Sequence, residues 1–388
     1  MKIVVPLEEL AGVLSRGMLA TKADPVVGSA LRGFGRIECR SNRLSIQSTG
    51  PVVSARSTIR VDDDDSEEGA CCLSLEKMAA MLKFSPRGES VVLQHFPGRP
   101  GDPGYLKLRA GKSSVKLPCA NARGFPTMEE PAGREIFSVS HDALSSSVAA
   151  VSFAAMAKDA DNVRSYICLQ TKAGDAYACA TNGMQFCIKR MCDAKSDGKA
   201  FLPVKLAKGL GRFLSDEEDV RFVDLDNKTA VVQSDRFVVY SKAVEAEARF
   251  PDPFRFFELE LAGEVSVPAE HFGHMLGACR ATHPEECLLS VEGGEVSVRA
   301  VSGVDQSEYR ASVAYSGNCQ DLEAGLHPLL VGEFLSRIKT DAVFMTFSKS
   351  VNRHGWPDIV KLADGERFVL YVRTRAAMVS IPLKQENA

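Results

Sequence analysis

The chain has 388 residues, too many for one ordinary compact core and enough for two or three. Hydrophobic residues make up 45% and charged residues 25%, the balance of a soluble globular protein, and no apolar run approaches the roughly 20 residues that span a bilayer. A formal net charge of −3 excludes a small, frankly basic nucleic-acid-binding domain, so any DNA contact must be a local basic surface on a mildly acidic body.

At the N-terminus, Glu8 and Glu9 come too early for a signal peptide. Eleven cysteines at irregular spacings, an odd number, read as reduced thiols in a cytosol rather than a disulfide framework. The expectation is a cytoplasmic protein without membrane attachment.

Taken in chain order, the elements repeat. Val5 to Leu14 predicts a short strand running into an amphipathic helix, and Arg43–Gln47 alternates as a hairpin strand. A second helix over Leu73–Leu82 precedes a strand at Val91–Leu93, and Gly124-Phe125-Pro126-Thr127 closes the unit with an extended Phe-Pro joint. The same series restarts at Val139, running to Val148, with a second helix over Leu202–Leu210, a strand at Val220–Val223 and a joint at Arg249-Phe250-Pro251-Asp252. It restarts again at Val267, running to Leu276, with a hairpin strand at Glu295–Arg299, a helix over Leu329–Ile338 and a strand at Ala342–Met345. Each third is thus two helix-plus-strands halves. The predicted class is α+β, in three tandem domains at 1–132, 133–258 and 259–388, of ordinary domain size.

The thirds differ in charge. Residues 1–132 hold 18 basic and 15 acidic residues (+3), 133–258 hold 17 and 18 (−1), and 259–388 hold 12 and 17 (−5). Opposite ends of opposite sign favour head-to-tail association of two chains.

Short segments within this threefold repeat resemble one family, the bacterial sliding clamp (DNA polymerase III beta subunit). Ala180-Thr181-Asn182-Gly183-Met184-Gln185-Phe186 is similar to the family's Ala-Thr-Asp-Gly-His-Arg-Leu segment, with Val163–Ile167 similar to the strand before it. Phe250-Pro251-Asp252 matches its Phe-Pro-Asp joint and Gly124-Phe125-Pro126 the first-domain counterpart. Met378–Lys384 resembles its terminal strand. The resemblance implies a DNA-clamp fold, helices inward and sheets outward, closed into a ring by two chains head to tail. The ring would encircle duplex DNA and tether the polymerase, without catalysis, metal or cofactor of its own. Partners implied are double-stranded DNA, the polymerase catalytic subunit, the clamp loader and a second copy of the chain.

Phosphate contacts supply affinity without sequence information, so inward basic side chains would hold DNA and let it slide. Lys205, Lys208 and Arg212 are spaced i, i+3 and i+7, on one helix face. Lys77 and Lys83, and Arg337 and Lys339, fall on the equivalent helices of the other thirds, and Arg16, Lys22 and Arg164 are candidates by position. The competing reading is an ordinary solvated face.

Carried over position by position, a pocket for a partner's short apolar peptide has walls of Ile167, Thr181, Gly183, Met184, Gln185, Phe186, Pro251, Phe256, Val379, Ile381, Pro382 and Leu383. Arg255 and Lys384 stand at its rim. The competing reading is core residues at a domain joint. Met184-Gln185 stands for the family's His-Arg, Phe256 for a smaller aliphatic and Pro253-Phe254 for Tyr-Arg, which makes a softer, more apolar groove.

Catalytic patterns are weak. Ala110-Gly111-Lys112-Ser113 lacks the first glycine of a phosphate-binding loop, with Leu106 in its place. No cysteine pair has zinc-knuckle spacing, and His271, His274, His283 and Glu285 read as surface residues rather than metal ligands. The acidic run Asp62–Glu68 and the loop Gly98–Gly104 read as solvated loops. The rivals are a docking scaffold that binds partners without encircling DNA, and a cytosolic enzyme using a Cys/His pair.

Overall fold

The structure is a computed structural model. It describes residues 1–23, 33–61, 66–84, 88–99, 104–128, 130–156, 163–194, 196–214, 219–225, 228–233, 236–242, 250–283, 285–365 and 368–374. No helix among them is long and apolar enough to cross a membrane.

One element order recurs three times: strand, helix, three strands, strand, helix, three strands. In the first third it runs Lys2–Pro6, the helix Leu7–Gly17 with a short second helix Leu19–Ala23, and strands Phe34–Arg40, Arg43–Thr49 and Val53–Arg60. Gly69–Ser74, the helix Leu75–Leu82, and strands Ser90–Phe96, Gly104–Ala110 and Ser113–Asn121 follow. The restarts at Arg134–Val139 and Leu261–Pro268 lead into helices His141–Val151 and Ala269–Thr282. The second helices of those thirds are Val204–Phe213 and Pro328–Leu335. Among the described residues, the last third adds the three-residue strand Ser316–Asn318 to this series.

The strand-to-helix corners have a common cause. Pro6, Pro203 and Pro268 each end a strand in an extended conformation and directly precede a helix. Proline has a fixed φ and no N–H to satisfy at a helix start. The helix Leu75–Leu82 is capped instead by Ser74, whose hydroxyl accepts from the Lys77 N–H at 3.3 Å.

The chain forms two compact units. The first comprises Met1–Val148, Ala157–Ala176 and Met191–Arg249. Its antiparallel sheet of twelve strands begins with Lys2–Pro6, Ser90–Phe96, Gly104–Ala110, Ser113–Asn121, Gly69–Ser74, Phe34–Arg40, Arg43–Thr49 and Val53–Arg60. It continues through Phe237–Lys242, Lys228–Gln233, Val220–Leu225 and Arg134–Val139. First-third and middle-third strands meet at a seam where Ala55 pairs with Val239. The helix Leu7–Gly17 lies on strands Arg43–Thr49 and Val53–Arg60 and touches the helix Leu75–Leu82. It comes so close that a Cβ at Gly17 would sit 2.6 Å from the Ile46 carbonyl oxygen.

The second unit comprises Ala149–Met156, Tyr177–Arg190 and the chain from Phe250. Strands Gln185–Asp193, Phe368–Arg373, Ile359–Ala363, Ala342–Ser348, Leu261–Pro268 and Ser316–Asn318 are neighbours in that order. A four-stranded sheet orders Glu308–Ala314, Glu295–Val301, Cys287–Glu292 and Leu322–Leu326. Here too strands of two thirds meet at a seam, with Phe186 paired to Tyr371 and Cys187 to Leu370. The two seams join equivalent strands of the repeat: the last strand of one third's first half against the last strand of the next third.

Candidate nucleic-acid interface and partner groove

The helix Val204–Phe213 buries Val204, Leu206, Ala207 and Leu210 and turns Lys205, Lys208 and Arg212 outward, all three exposed. The short helix Leu19–Ala23 packs against it, and glycine at 209 makes room: a Cβ there would lie 2.9 Å from the Leu19 Cδ1. That packing brings a fourth exposed cation, Lys22, onto an element touching the basic helix. The helix His141–Val151 is locked on from another side, through His141 Nε2 and the Gly211 carbonyl at 3.0 Å. The geometry presents several cations with no ion-pair partner among the described residues, on packed helices, a surface suited to phosphate contact.

In the second unit, the turn between strands Asp175–Thr181 and Gln185–Asp193 is set by its side chains. Asn182 Oδ1 accepts from the Met184 and Gln185 N–H groups at 2.9 and 3.1 Å, Thr181 Oγ1 accepts from Gly183 N–H at 3.0 Å, and Gly183 has φ +88°. The left-handed backbone explains the glycine. Beyond the turn, Phe186 stacks on Phe256 with ring centroids 4.5 Å apart and meets Phe250 edge-on at 5.8 Å. Phe256 also touches Tyr371 at 5.1 Å. Tyr177, Phe254 and Phe257 form a trio of their own, with ring centroids 5.6 to 6.0 Å apart. Phe257 is 47% exposed, Pro251 and Arg255 are exposed and Phe256 is half-buried, so an aromatic surface faces outward. Burial pushes the Tyr371 phenol well above its ordinary pKa. Gln185 is 2% exposed, and its carboxamide has no hydrogen-bond partner among the described residues.

No family model matches the chain. By sequence it is similar to the beta sliding clamp of Pseudomonas putida, 22% identical over 362 residues that span 90% of this chain and 91% of the relative. By structure it is similar to the DNA polymerase III subunit beta of Pseudomonas aeruginosa, with a TM-score of 0.82 and 20% identity over 97% of this chain and all of that one. It is similar also to the Helicobacter pylori beta clamp bound to a DNA ligase peptide, with a TM-score of 0.77 and 14% identity over 97% of this chain and 100% of that one. In sequence and in fold the chain is similar to beta sliding clamps. Its α+β clamp fold is the expected one, and the three restarts seen in the sequence are three restarts in the structure.

The positions expected to matter fall into three groups. Lys205, Lys208, Arg212, Lys22, Lys77 and Arg164 are all exposed. Two further cations are corrected: the last-third helix ends at Leu335, so Arg337 and Lys339 lie beyond it. Arg337 is bound to Glu333 at 2.7 Å and lies 4.7 Å from the centre of the Phe153 ring, so it is engaged within the second unit. Arg16 is half-buried and donates to Ser57 Oγ at 3.1 Å, and burial, with Arg236 nearby, holds its pKa below the usual guanidinium range.

Among groove residues, Thr181, Gly183, Met184, Gln185, Phe186, Pro251, Arg255 and Phe256 belong to one unit. Ile167 belongs to the first unit, paired with Leu202, and is fully buried. Val379, Ile381, Pro382, Leu383 and Lys384 lie outside the described residues. Sequence reasoning did not place Phe250, Phe257, Tyr177 or Tyr371 in the groove; for Phe257 the run Pro253-Phe254-Arg255-Phe256-Phe257 was the available signal. Gly111 and Lys112 form the tight turn of a hairpin, Gly111 at φ +55°, which accounts for the glycine without a phosphate. Nine of the eleven thiols are buried, Cys192 and Cys319 being intermediate.

Proposed function

We propose that this protein is a DNA sliding clamp: a head-to-tail homodimeric ring of six domains, divided at 1–132, 133–258 and 259–388 in each chain. The ring encircles duplex DNA in the cytoplasm and tethers the replicative polymerase for processive synthesis, a role with no catalytic step. The observation that carries the reading is the repeated seam. The chain twice joins the last strand of one third's first half to the last strand of the next third. A third seam of the same kind would join Glu308–Ala314 to Ser113–Asn121, which the repeat assigns to a second copy. Glu308–Ala314 is the edge of its sheet, and Ser113–Asn121 pairs with Gly69–Ser74 only at its last two residues. Two such seams per dimer close a ring.

Beside the Ser113 edge, Phe84 is 87% exposed and Met81 42%, around a groove of about 300 Å³ that includes Leu82, Leu108 and Val115. An exposed apolar patch against a free edge strand fits an interface between copies. The net charges of the two end thirds, +3 and −5, favour the same pairing.

The aromatic surface around Phe256 is assigned to partner peptides of the polymerase and the clamp loader, by analogy with the ligase peptide on the Helicobacter pylori clamp. An unpartnered buried amide costs about 1–3 kcal/mol, so a peptide group that reached Gln185 would relieve a standing penalty. Val379, Ile381, Pro382, Leu383 and Lys384 complete the proposed wall.

The test is retention on nicked circular DNA after loading. A clamp stays on the circle and runs off when the circle is linearised. Equal retention on both forms, or a protein that stays monomeric at micromolar concentration in light scattering, would leave a docking scaffold in its place.

A further inference from the structure

Three strands of the first-third sheet bring chemistry-bearing side chains to one point. Cys71 on Gly69–Ser74, His95 on Ser90–Phe96 and Cys119 on Ser113–Asn121 each offer one ligand atom, all within 4.8 Å of one another. Strand register explains the convergence. Cys71 pairs with Asn121, so Cys119, two residues back, projects to the same face of the sheet. His95 pairs with Leu106, which pairs with Leu117, again two residues from Cys119. Spacings of 24 residues hide this grouping from any short motif. Cys71 is fully buried and Cys119 is 6% exposed. Half-buried His95 and Cys119 line a cleft of about 630 Å³, together with Phe34, Gly98 and Gly104.

We propose that Cys71, His95 and Cys119 bind one zinc ion, its fourth coordination position facing the cleft. Two thiolates and an imidazole are a donor set that selects a soft d¹⁰ cation over calcium or magnesium. In a tetrahedral site with Zn–S of about 2.3 Å and Zn–N of about 2.0 Å, ligand atoms stand roughly 3.5–3.8 Å apart. The present spacing therefore needs about 1 Å of closure, within the reach of side-chain torsions.

Binding forms two Zn–S bonds and one Zn–N bond, releases the two thiol protons to solvent and changes no oxidation state. The ion would clip three strands that are distant in sequence and so stabilise the first domain. The structure holds its own control. Cys279 and Cys287 are a second pair of neighbouring buried thiols, yet among the described residues no histidine or carboxylate completes a trio with them.

The experiment uses reduced full-length protein titrated with Co²⁺ as an optical probe, then with Zn²⁺ in competition with a chromophoric chelator. One cobalt per chain is expected, with a thiolate charge-transfer band and tetrahedral visible bands that zinc abolishes, and zinc should raise the melting temperature. Cys119→Ser and His95→Gln should each weaken zinc binding at least tenfold, and Cys287→Ser should leave it unchanged. If Cys119→Ser does not fold, His95→Gln at the half-exposed position decides. Failure of the reduced protein to take up stoichiometric metal overturns the proposal. So does cobalt bound without the thiolate band, or undiminished zinc affinity in His95→Gln.

Discussion

Phe186 lies nearly flat on Phe256, ring centroids 4.5 Å apart and planes 23° apart, and the two rings have opposite duties. Phe186 is 2% exposed on a strand that forms a seam, opposite Tyr371. Phe256 sits on the short turn Pro253–Phe256 and keeps part of its surface in solvent. The buried ring fixes the position of the exposed one, and a preorganised aromatic surface binds apolar peptide side chains at low entropic cost. Phe186→Ala should therefore cost about 3–5 kcal/mol of folding stability in urea unfolding, the scale of a core aromatic deletion. Phe256→Ala should unfold at nearly the parental urea concentration yet weaken a polymerase-tail peptide by ~1–3 kcal/mol in fluorescence polarisation, as for a hot-spot anchor. Parental peptide affinity in folded Phe256→Ala would move the partner site elsewhere.

The repeat was legible because hydrophobic periodicity reports local elements, and each restart fell where a strand runs into an amphipathic helix. The basic face of Val204–Phe213 was legible for the same reason: i, i+3 and i+7 are geometry. The seams were not. Pairing Ala55 with Val239 or Phe186 with Tyr371 joins strands far apart in sequence, and nothing local to either strand specifies its partner. The aromatic surface was half legible: the Phe-Pro joint marked the place, but Tyr177 and Tyr371 reach it only through folding. Arg337 was misplaced because the apolar pattern continues to Ile338, whereas the helix stops at Leu335 and the arginine folds back on Glu333.

Lys205, Lys208 and Arg212 are exposed on a helix whose other face is buried, so changing them perturbs charge and little else. Each phosphate contact contributes about 0.9 to the slope of log affinity against log salt. Reversing all three to glutamate should lower that slope by up to about 3 and shorten residence on circular DNA, with dimer mass unchanged. A triple variant with the parental salt dependence would show that this face does not meet the duplex.

Phe84 is 87% exposed, so the folded monomer gains almost nothing from it. Phe84→Asp should leave thermal unfolding of the dissociated chain within about 0.5 kcal/mol of the parent, the usual span for surface changes. In a dimer closed along Ser113–Asn121 the same change places a carboxylate in an apolar contact. Light scattering across a dilution series should then show monomer at concentrations where the parent is twice the mass of the chain. Dissociation curves that superimpose would exclude the Phe84 groove from the interface.

Cys187 links the second seam to pH. It pairs with Leu370, is fully buried, and its pKa is raised far above the ordinary 9.0, mainly by burial and against the opposing effect of Arg337 and Lys189. In the unfolded chain the thiol ionises near its ordinary value, whereas the folded chain resists ionisation. A group with its pKa raised on folding contributes stability that is fully present below the unfolded pKa, and the contribution declines as pH climbs above it towards the folded value. Stability should thus hold up to about pH 8.5 and fall beyond, as the unfolded state alone loses the proton. Cys187→Ala removes this titration. The variant should be less stable at pH 7, for want of the sulfur's packing, but its deficit should shrink steadily between about pH 8.5 and 10.5 in urea unfolding. A deficit constant across that range would mean that Cys187 ionises equally in the folded and unfolded chain, and that the seam is open to solvent.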